Sequence, residues 1–190
     1  MNLPEKLLRA YNKILWKRTT KKLKSIGSNS YVGPGFTLKG PQYISIGNNF
    51  KTGKNITIHT WKVEKEPELI IGNNVSMTKN SYISCANRIT IGDGVLMGEG
   101  CFITDNSHGS VSYAELDIPP SKRKIWSKGE VHIGKNVWLG RNVCVMPDVE
   151  IGDYAIIGAN SVVTHSIPPR SVVGGVPARV IKMLNDEQNS

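Results

Sequence analysis

Aliphatic residues recur every six positions through most of this chain. The cleanest run lies between Val131 and Lys182, where Ile133, Leu139, Val145, Ile151, Ile157 and Val163 lead successive units. A second set follows each lead by four residues: Val137, Val143, Val149, Ala155, Ser161 and Ile167. Glycine comes directly after the lead at Gly134, Gly140, Gly152 and Gly158. A period of six fits neither the 3.6 of a helix nor the 2 of a lone strand. It marks a structural repeat, and such a repeat settles the architecture.

The same beat starts earlier, at Ile26, Val32, Leu38 and Ile44, shifts by two, and resumes at Ile46, Thr52 and Ile58. Residues 60–69 break it with charge and Pro67 and predict a loop. It returns at Ile71, Met77, Ile83 and Ile89, shifts again, and runs through Ile91, Met97 and Ile103. Residues 104–130 form a longer interruption with Pro119 and Pro120. Pro168 and Pro169 end the array, and the run VVGGVPARVIK is expected to cap it. Residues 1–25 differ in kind. Leu7, Tyr11, Ile14 and Leu15 follow helical spacing, with lysines and arginines between them, and predict a basic amphipathic helix over residues 3–25. The organisation expected is therefore a helix within 1–25, a repeat domain over 26–184 with an insertion at 104–130, and a tail at 185–190.

A six-residue unit places one short strand and one turn. The aliphatic lead points inward, and Gly or Asn takes the left-handed backbone positions of the turn, as in the tetrads IGNN, IGDG and IGKN. Three units close a triangular coil of about 18 residues, and stacked coils pair as parallel strands around a continuous aliphatic column. The end coils need covering, since open strand edges invite association.

Charge changes the picture only at the N-terminus. Residues 1–25 carry eight lysines and arginines against Glu5, a net +7 of the chain's +9. The rest is nearly balanced, and no zinc-finger or RNA-recognition signature is present, so nucleic acid is not an expected partner. The basic helix has two readings. It packs its apolar face on the protein or a neighbouring subunit, or it lies on an anionic membrane surface with Trp16 at the interface. No apolar run is long enough to span a bilayer and no secretory leader is evident, so a cytoplasmic location, peripheral at the membrane's inner face in the second reading, is expected. Cys85, Cys101 and Cys144 have no metal or disulfide spacing and are expected as small packed hydrophobes.

The hexads IGKNVWLGRNVCV and EIGDYAIIGANSVVT, followed by IPPRSVVGGVPARVIK, resemble the hexapeptide-repeat acyltransferases, and the likeness spans most of residues 26–184. The resemblance implies an all-β fold, a left-handed parallel β-helix, contrary to the right-handed rule for parallel crossovers. It further implies acetyl-CoA as co-substrate, a saccharide acceptor, no catalytic metal, and a homotrimer with active sites between subunits. The nearest members are the sugar O-acetyltransferases.

Of four histidines, His108 in ITDNSHGS stands where the coil stops and the insertion starts. By resemblance it is the general base that takes the proton of a sugar hydroxyl. Asp105 either orients the imidazole or caps the turn. The Gly140–Arg141 turn of a neighbouring subunit is the candidate oxyanion donor. Gly140, Ala159 and Thr164 map onto pantetheine contacts, and Arg179 and Lys182 onto the phosphates of CoA, against the alternative of a solvated surface helix. Trp138 walls that groove or packs at a subunit boundary. Where the family has an acceptor-binding Asn this chain has Thr78, which leaves Asn80 as a weak candidate. Tyr113 and Trp126 are candidates for stacking on a sugar, and Lys122–Lys124 for meeting an acidic acceptor.

Three other readings compete. An N-acetyltransferase acting on an amino-sugar nucleotide needs the same base. A γ-class carbonic anhydrase needs three converging histidines, and only His108 and His132 are candidates. A non-enzymatic β-helix would show a repeated surface residue, and no such column is present. Serine acetyltransferases carry a helical domain larger than 25 residues.

Overall fold

The computed structural model describes residues 3–110 and 112–184, so the tail expected at 185–190 lies outside the described residues. One helix, Leu3–Thr20, opens the chain, and it is followed by short strands and turns. The helix expected to reach residue 25 stops at Thr20, where the N–H groups of Lys22 and Leu23 close a final turn on the Thr19 and Thr20 carbonyls.

From Ser25 the chain winds around three faces of parallel strands. On the first face Ile26, Ile46, Ile71, Ile91, Ile133 and Ile151 stand in register. On the second Thr52, Met77, Met97, Leu139, Ile157 and Val173 do so. Leu38, Ile58, Ile83, Ile103, Val145 and Val163 do so on the third. Every one of these from Ile46 onward along the chain is buried, as are Phe50, Ile56, Val75, Val95, Val137 and Val143 between them. These are the two inward positions that the hexad pattern predicts. Burying one such side chain fully stabilises by about 1.5–3 kcal/mol, so the column as a whole holds the coils together.

The turns are built as the tetrads imply. Asn49, Asn74, Gly94 and Asn136, each fourth in its tetrad, have positive φ between 53° and 71°. The glycine second in the tetrad serves a different need. A Cβ on Gly92 would lie 2.7 Å from the Gly134 carbonyl carbon of the next coil, so only glycine lets the turns stack this closely.

Six residues separate each lead on the first face from the next on the second (Ile46 to Thr52, Ile91 to Met97, Ile151 to Ile157), and six more lead to the third. All variation falls at the corner from the third face back to the first. The shift by two near Ile44 is an insertion here, the single 3-10 turn Pro41–Tyr43, and Ala86–Asn87 accommodates the second. Ile44 and Ile46 therefore both point inward from one strand. The first loop occupies this corner at 61–67. It is narrower than expected, because Thr60 and Glu68 pair in the flanking strands Thr57–Thr60 and Glu68–Ile71. The long insertion starts after Thr104, also at this corner, and is not all loop. Ser107–His108 and Ile125–Trp126 form an antiparallel ribbon in it.

The ends are closed differently. At the N-terminal end Trp16 of the helix meets Phe36 edge-on at 5.4 Å, and both rest with Leu23, Ile26 and Leu38 on the core. At the other end Ser171–Gly175 joins the second face and Ala178–Met183 folds back antiparallel on it. Arg179 and Lys182 are thus on an edge strand. The helix considered for them is excluded by the reversal at Gly175–Pro177. Cys85 and Cys101 are buried as expected, and Cys144 is half-buried.

Candidate active site

The insertion is held in shape by its own polar contacts. The Ser110 N–H and hydroxyl both donate to the Glu115 carboxylate, at 2.6 and 3.0 Å. Gly109 donates its N–H to the Lys124 carbonyl, and the Arg123 guanidinium donates to the Ile118 carbonyl. Arg123 of the basic cluster therefore braces the loop. Tyr113 opens the short 3-10 turn Tyr113–Glu115 and is 90% exposed.

His108 projects from the ribbon with an exposed side chain, opposite Ile125. The other three imidazoles are engaged. Nδ1 of His59 meets the Tyr82 hydroxyl at 3.2 Å, that of His132 meets the Thr90 hydroxyl, and that of His165 meets the Thr164 hydroxyl at 2.9 Å. Burial and the nearby Lys39 ammonium also hold His59 below the ordinary histidine range. Among the described residues no hydrogen bond engages the His108 ring.

Asp105 is fully buried. Its Oδ1 accepts the Ala86 N–H at 2.7 Å and the Asn106 amide at 2.9 Å, and its Oδ2 accepts the Asn87 N–H at 2.9 Å. The carboxylate thus organises the corner one coil earlier, and none of these contacts is with His108. Burial, with the same carboxylate beside it, raises the Cys85 thiol far above its usual range.

The cofactor candidates divide. Gly140 and Ala159 meet at the corner between the second and third faces, where a Cβ on Gly140 would lie 2.7 Å from the Ala159 nitrogen. Arg179 pairs with Gly174, which follows Val173 as Gly158 follows Ile157, so it continues the same file one strand further. Thr164 lies at the far end of the third face and Lys182 opposite Val172, each displaced from that file. Gly140 donates its N–H to the Ile157 carbonyl at 2.8 Å. The N–H of Arg141 takes no acceptor among the described residues, so of the two it is the one open to a substrate oxygen.

Asn80 occupies that same corner two coils earlier, with φ 61°. Its side chain accepts from Asn55 at 3.2 Å and donates to Glu99 at 3.3 Å, a ladder that shapes the turns. The third face separates it from His108 within one chain. Sequence reasoning passed over Asn87, which lies on His108's own corner, one coil earlier. Its side-chain oxygen is buried and has no hydrogen-bond partner among the described residues. The signal was available: the two-residue shift before Ile91 locates Ala86–Asn87 beneath the long insertion. Asn87, Trp126, Ile125 and residues 63–65 of the first loop line a cleft of about 380 Å³.

Residues 130–165 match the family described as bacterial transferase hexapeptide (six repeats). The putative lipopolysaccharide biosynthesis O-acetyl transferase WbbJ of Escherichia coli K12 is 37% identical over 148 residues, 76% of this chain and 74% of that protein. The galactoside O-acetyltransferase of the same strain is 34% identical over 167 residues, 85% of this chain and 64% of that protein. The chain belongs to the bacterial hexapeptide-repeat transferases. Among solved structures, the N-acyltransferase AntD of Bacillus cereus, in complex with dTDP-4-amino-4,6-dideoxyglucose and coenzyme A, superposes with a TM-score of 0.74 over 90% of this chain and 89% of its own, at 20% identity. The hexapeptide-repeat acetyltransferase VCA0836 of Vibrio cholerae gives 0.60 over 97% and 95%, at 23% identity. The fold is thus the left-handed parallel β-helix expected for this family.

Proposed function

We propose that the protein transfers the acetyl group of acetyl-CoA to a hydroxyl of a saccharide, with His108 as the general base. The observation that carries this reading is the His108 ring, exposed on its ribbon and the one imidazole of four without a hydrogen bond among the described residues. The similarity to two O-acetyltransferases supports hydroxyl rather than amine transfer.

In this reaction the neutral imidazole accepts the hydroxyl proton as the sugar oxygen attacks the thioester carbon. The oxyanion formed takes the Arg141 N–H of a neighbouring subunit. The C–S bond then breaks, and the imidazolium returns its proton to the leaving thiolate. The file Gly140, Ala159 and Arg179 lies along the pantetheine, with the guanidinium toward the phosphates.

A trimer is supported by the second face. Leu96, Trp138, Ile156 and Val172 stand in register there, pointing outward, with Leu96 and Trp138 exposed. Contact with an anionic membrane surface is supported by the N-terminal helix, where Leu7, Tyr11 and Ile14 form an exposed stripe in a segment of net charge +7. No helix among the described residues is long and apolar enough to cross a membrane.

The test is thiol release from acetyl-CoA with a panel of monosaccharides, oligosaccharides and amino-sugar nucleotides. His108→Ala is expected to lower kcat by about 10²–10⁴-fold with an unchanged circular dichroism spectrum. Near-normal turnover in that variant removes the mechanism. Turnover with the amino-sugar nucleotides alone replaces O-transfer by N-transfer.

A further inference from the structure

Charge is spread unevenly along the coil axis. Residues 1–60 hold eleven lysines and arginines against Glu5, a net +10, and the rest of the chain sums to −1. No acidic residue falls between Glu5 and Glu64. The fold turns this order in the sequence into an order in space, because each coil stacks on the one before it. The helix and the first two coils therefore form one basic end. Lys17, Arg18, Lys21 and Lys22 are exposed where the helix stops. Lys39 lies on the first coil and Lys51 and Lys54 on the second, all three exposed. Lys24 is paired with Glu68 at 2.8 Å, whereas Lys51 and Lys54 have no ion-pair partner among the described residues.

Apolar groups share this end. Leu7, Tyr11 and Ile14 of the helix are each more than half exposed, and so is Tyr31 on the first coil, which bridges to Lys51. A nucleic acid takes the charge but gives exposed leucine and isoleucine no partner. A bilayer with anionic headgroups takes both, the lysines at its phosphates and the apolar stripe at the boundary of the acyl region. The coils add to the helix in this contact. Neighbouring strands are about 4.8 Å apart, so Lys51 and Lys54 stand only one such step above the first coil. That is less than the Debye length of about 8 Å at physiological salt, and their charge still reaches the surface.

We propose that the whole basic end, helix and first two coils together, docks on an anionic lipid bilayer with the coil axis along the membrane normal. This rests on the reading of the helix as a membrane contact and adds an orientation to it. Ile103 lies three strands above Leu38 on the third face, about 14 Å, and His108 follows it. A headgroup layer is about 5–7 Å thick, so the base stands clear of it. The file from Gly140 to Arg179 begins one coil further out, so acetyl-CoA reaches it from the aqueous side.

Vesicle binding by the full chain tests it. Binding is expected to vesicles that mix phosphatidylglycerol with phosphatidylcholine, not to phosphatidylcholine alone, and is expected to weaken in high salt. The double variant Lys51→Glu, Lys54→Glu is expected to bind the mixed vesicles about tenfold more weakly. The same reversal on the long insertion, Lys122→Glu with Lys124→Glu, is expected to bind as wild type does. Melting temperatures on the same samples show that the variants are folded. Orientation is read by energy transfer to headgroup-labelled lipid from a dye on Ser25→Cys or on Tyr113→Cys, each on a Cys144→Ser background. Strong transfer is expected from the first position, at the basic end, and weak transfer from the second, on the insertion. Equal transfer from the two, equal binding to both lipid mixtures, an equal loss in the insertion variant, or tighter binding to duplex DNA than to the vesicles overturns the proposal. Unchanged binding in the Lys51→Glu, Lys54→Glu variant, with binding lost on removal of residues 1–24, leaves the helix contact standing and removes the upright stance. Failure of the wild-type chain to bind mixed vesicles removes both.

Discussion

Asp105 precedes His108 by three residues, a spacing that invites a catalytic pair, yet two backbone N–H groups and an amide surround its carboxylate. Removing it strands the buried donors of Ala86 and Asn87. Asp105→Ala is therefore expected to lower stability by about 2–4 kcal/mol, read from the urea midpoint, since each buried unsatisfied group costs about 1–3 kcal/mol. Asp105→Asn is expected to keep kcat near the wild-type value, because none of these contacts joins the carboxylate to the imidazole. A loss of kcat in the Asn variant on the scale of His108→Ala would restore the pairing. The sequence made His108 legible by its position at a coil end. It did not make Asn87 legible, because an orphaned oxygen is a property of packing and a lone Asn in a turn reads as a turn former.

The repeat strands were legible because each inward position has the same physical task, and Ile46 through Val163 repeat it without exception. Loop edges were less so. Thr60 and Glu68 look like loop residues by charge and polarity but take part in the ladder through their backbones, to which side-chain type is nearly irrelevant. Arg179 and Lys182 are three apart, as on a helix, while Gly174, Gly175 and Pro177 nearby decide for a hairpin. The N-terminal helix was legible in type, and its exposed Leu7, Tyr11 and Ile14 leave its outer face open. Flotation with vesicles containing anionic lipid is expected to carry the full chain upward and to leave a form lacking residues 1–24 behind. Equal flotation of the two, or none, removes the membrane contact.

At the scale of the molecule, one chain holds half of the proposed site. His108 lies at one corner of the triangle, and the file from Gly140 to Arg179 lies at another, with the third face between them. A site that uses both needs a second copy. The outward column through Trp138 is the surface expected to supply it, at a place where a single exposed indole alone would carry little meaning. Trp138→Asp is expected to shift the mass by light scattering from trimer toward monomer, and to remove turnover while leaving the spectrum of the coil intact. An active monomer would contradict shared sites. Nothing in the period of six reveals this arrangement, because the pattern records which residues point inward, and assembly depends on those that point out.

The confinement of every irregular length to one edge has a further consequence. Along the other two edges, chain length is fixed at six residues per step, so an added or lost residue there throws every later side chain out of phase. At the variable edge the chain leaves one coil and joins the next whatever its length, and the ladders do not register what happens between. Stability is thereby assigned to the two regular edges, and freedom of length to the third. A segment at that edge can therefore change in length or sequence without disturbing the scaffold that carries it.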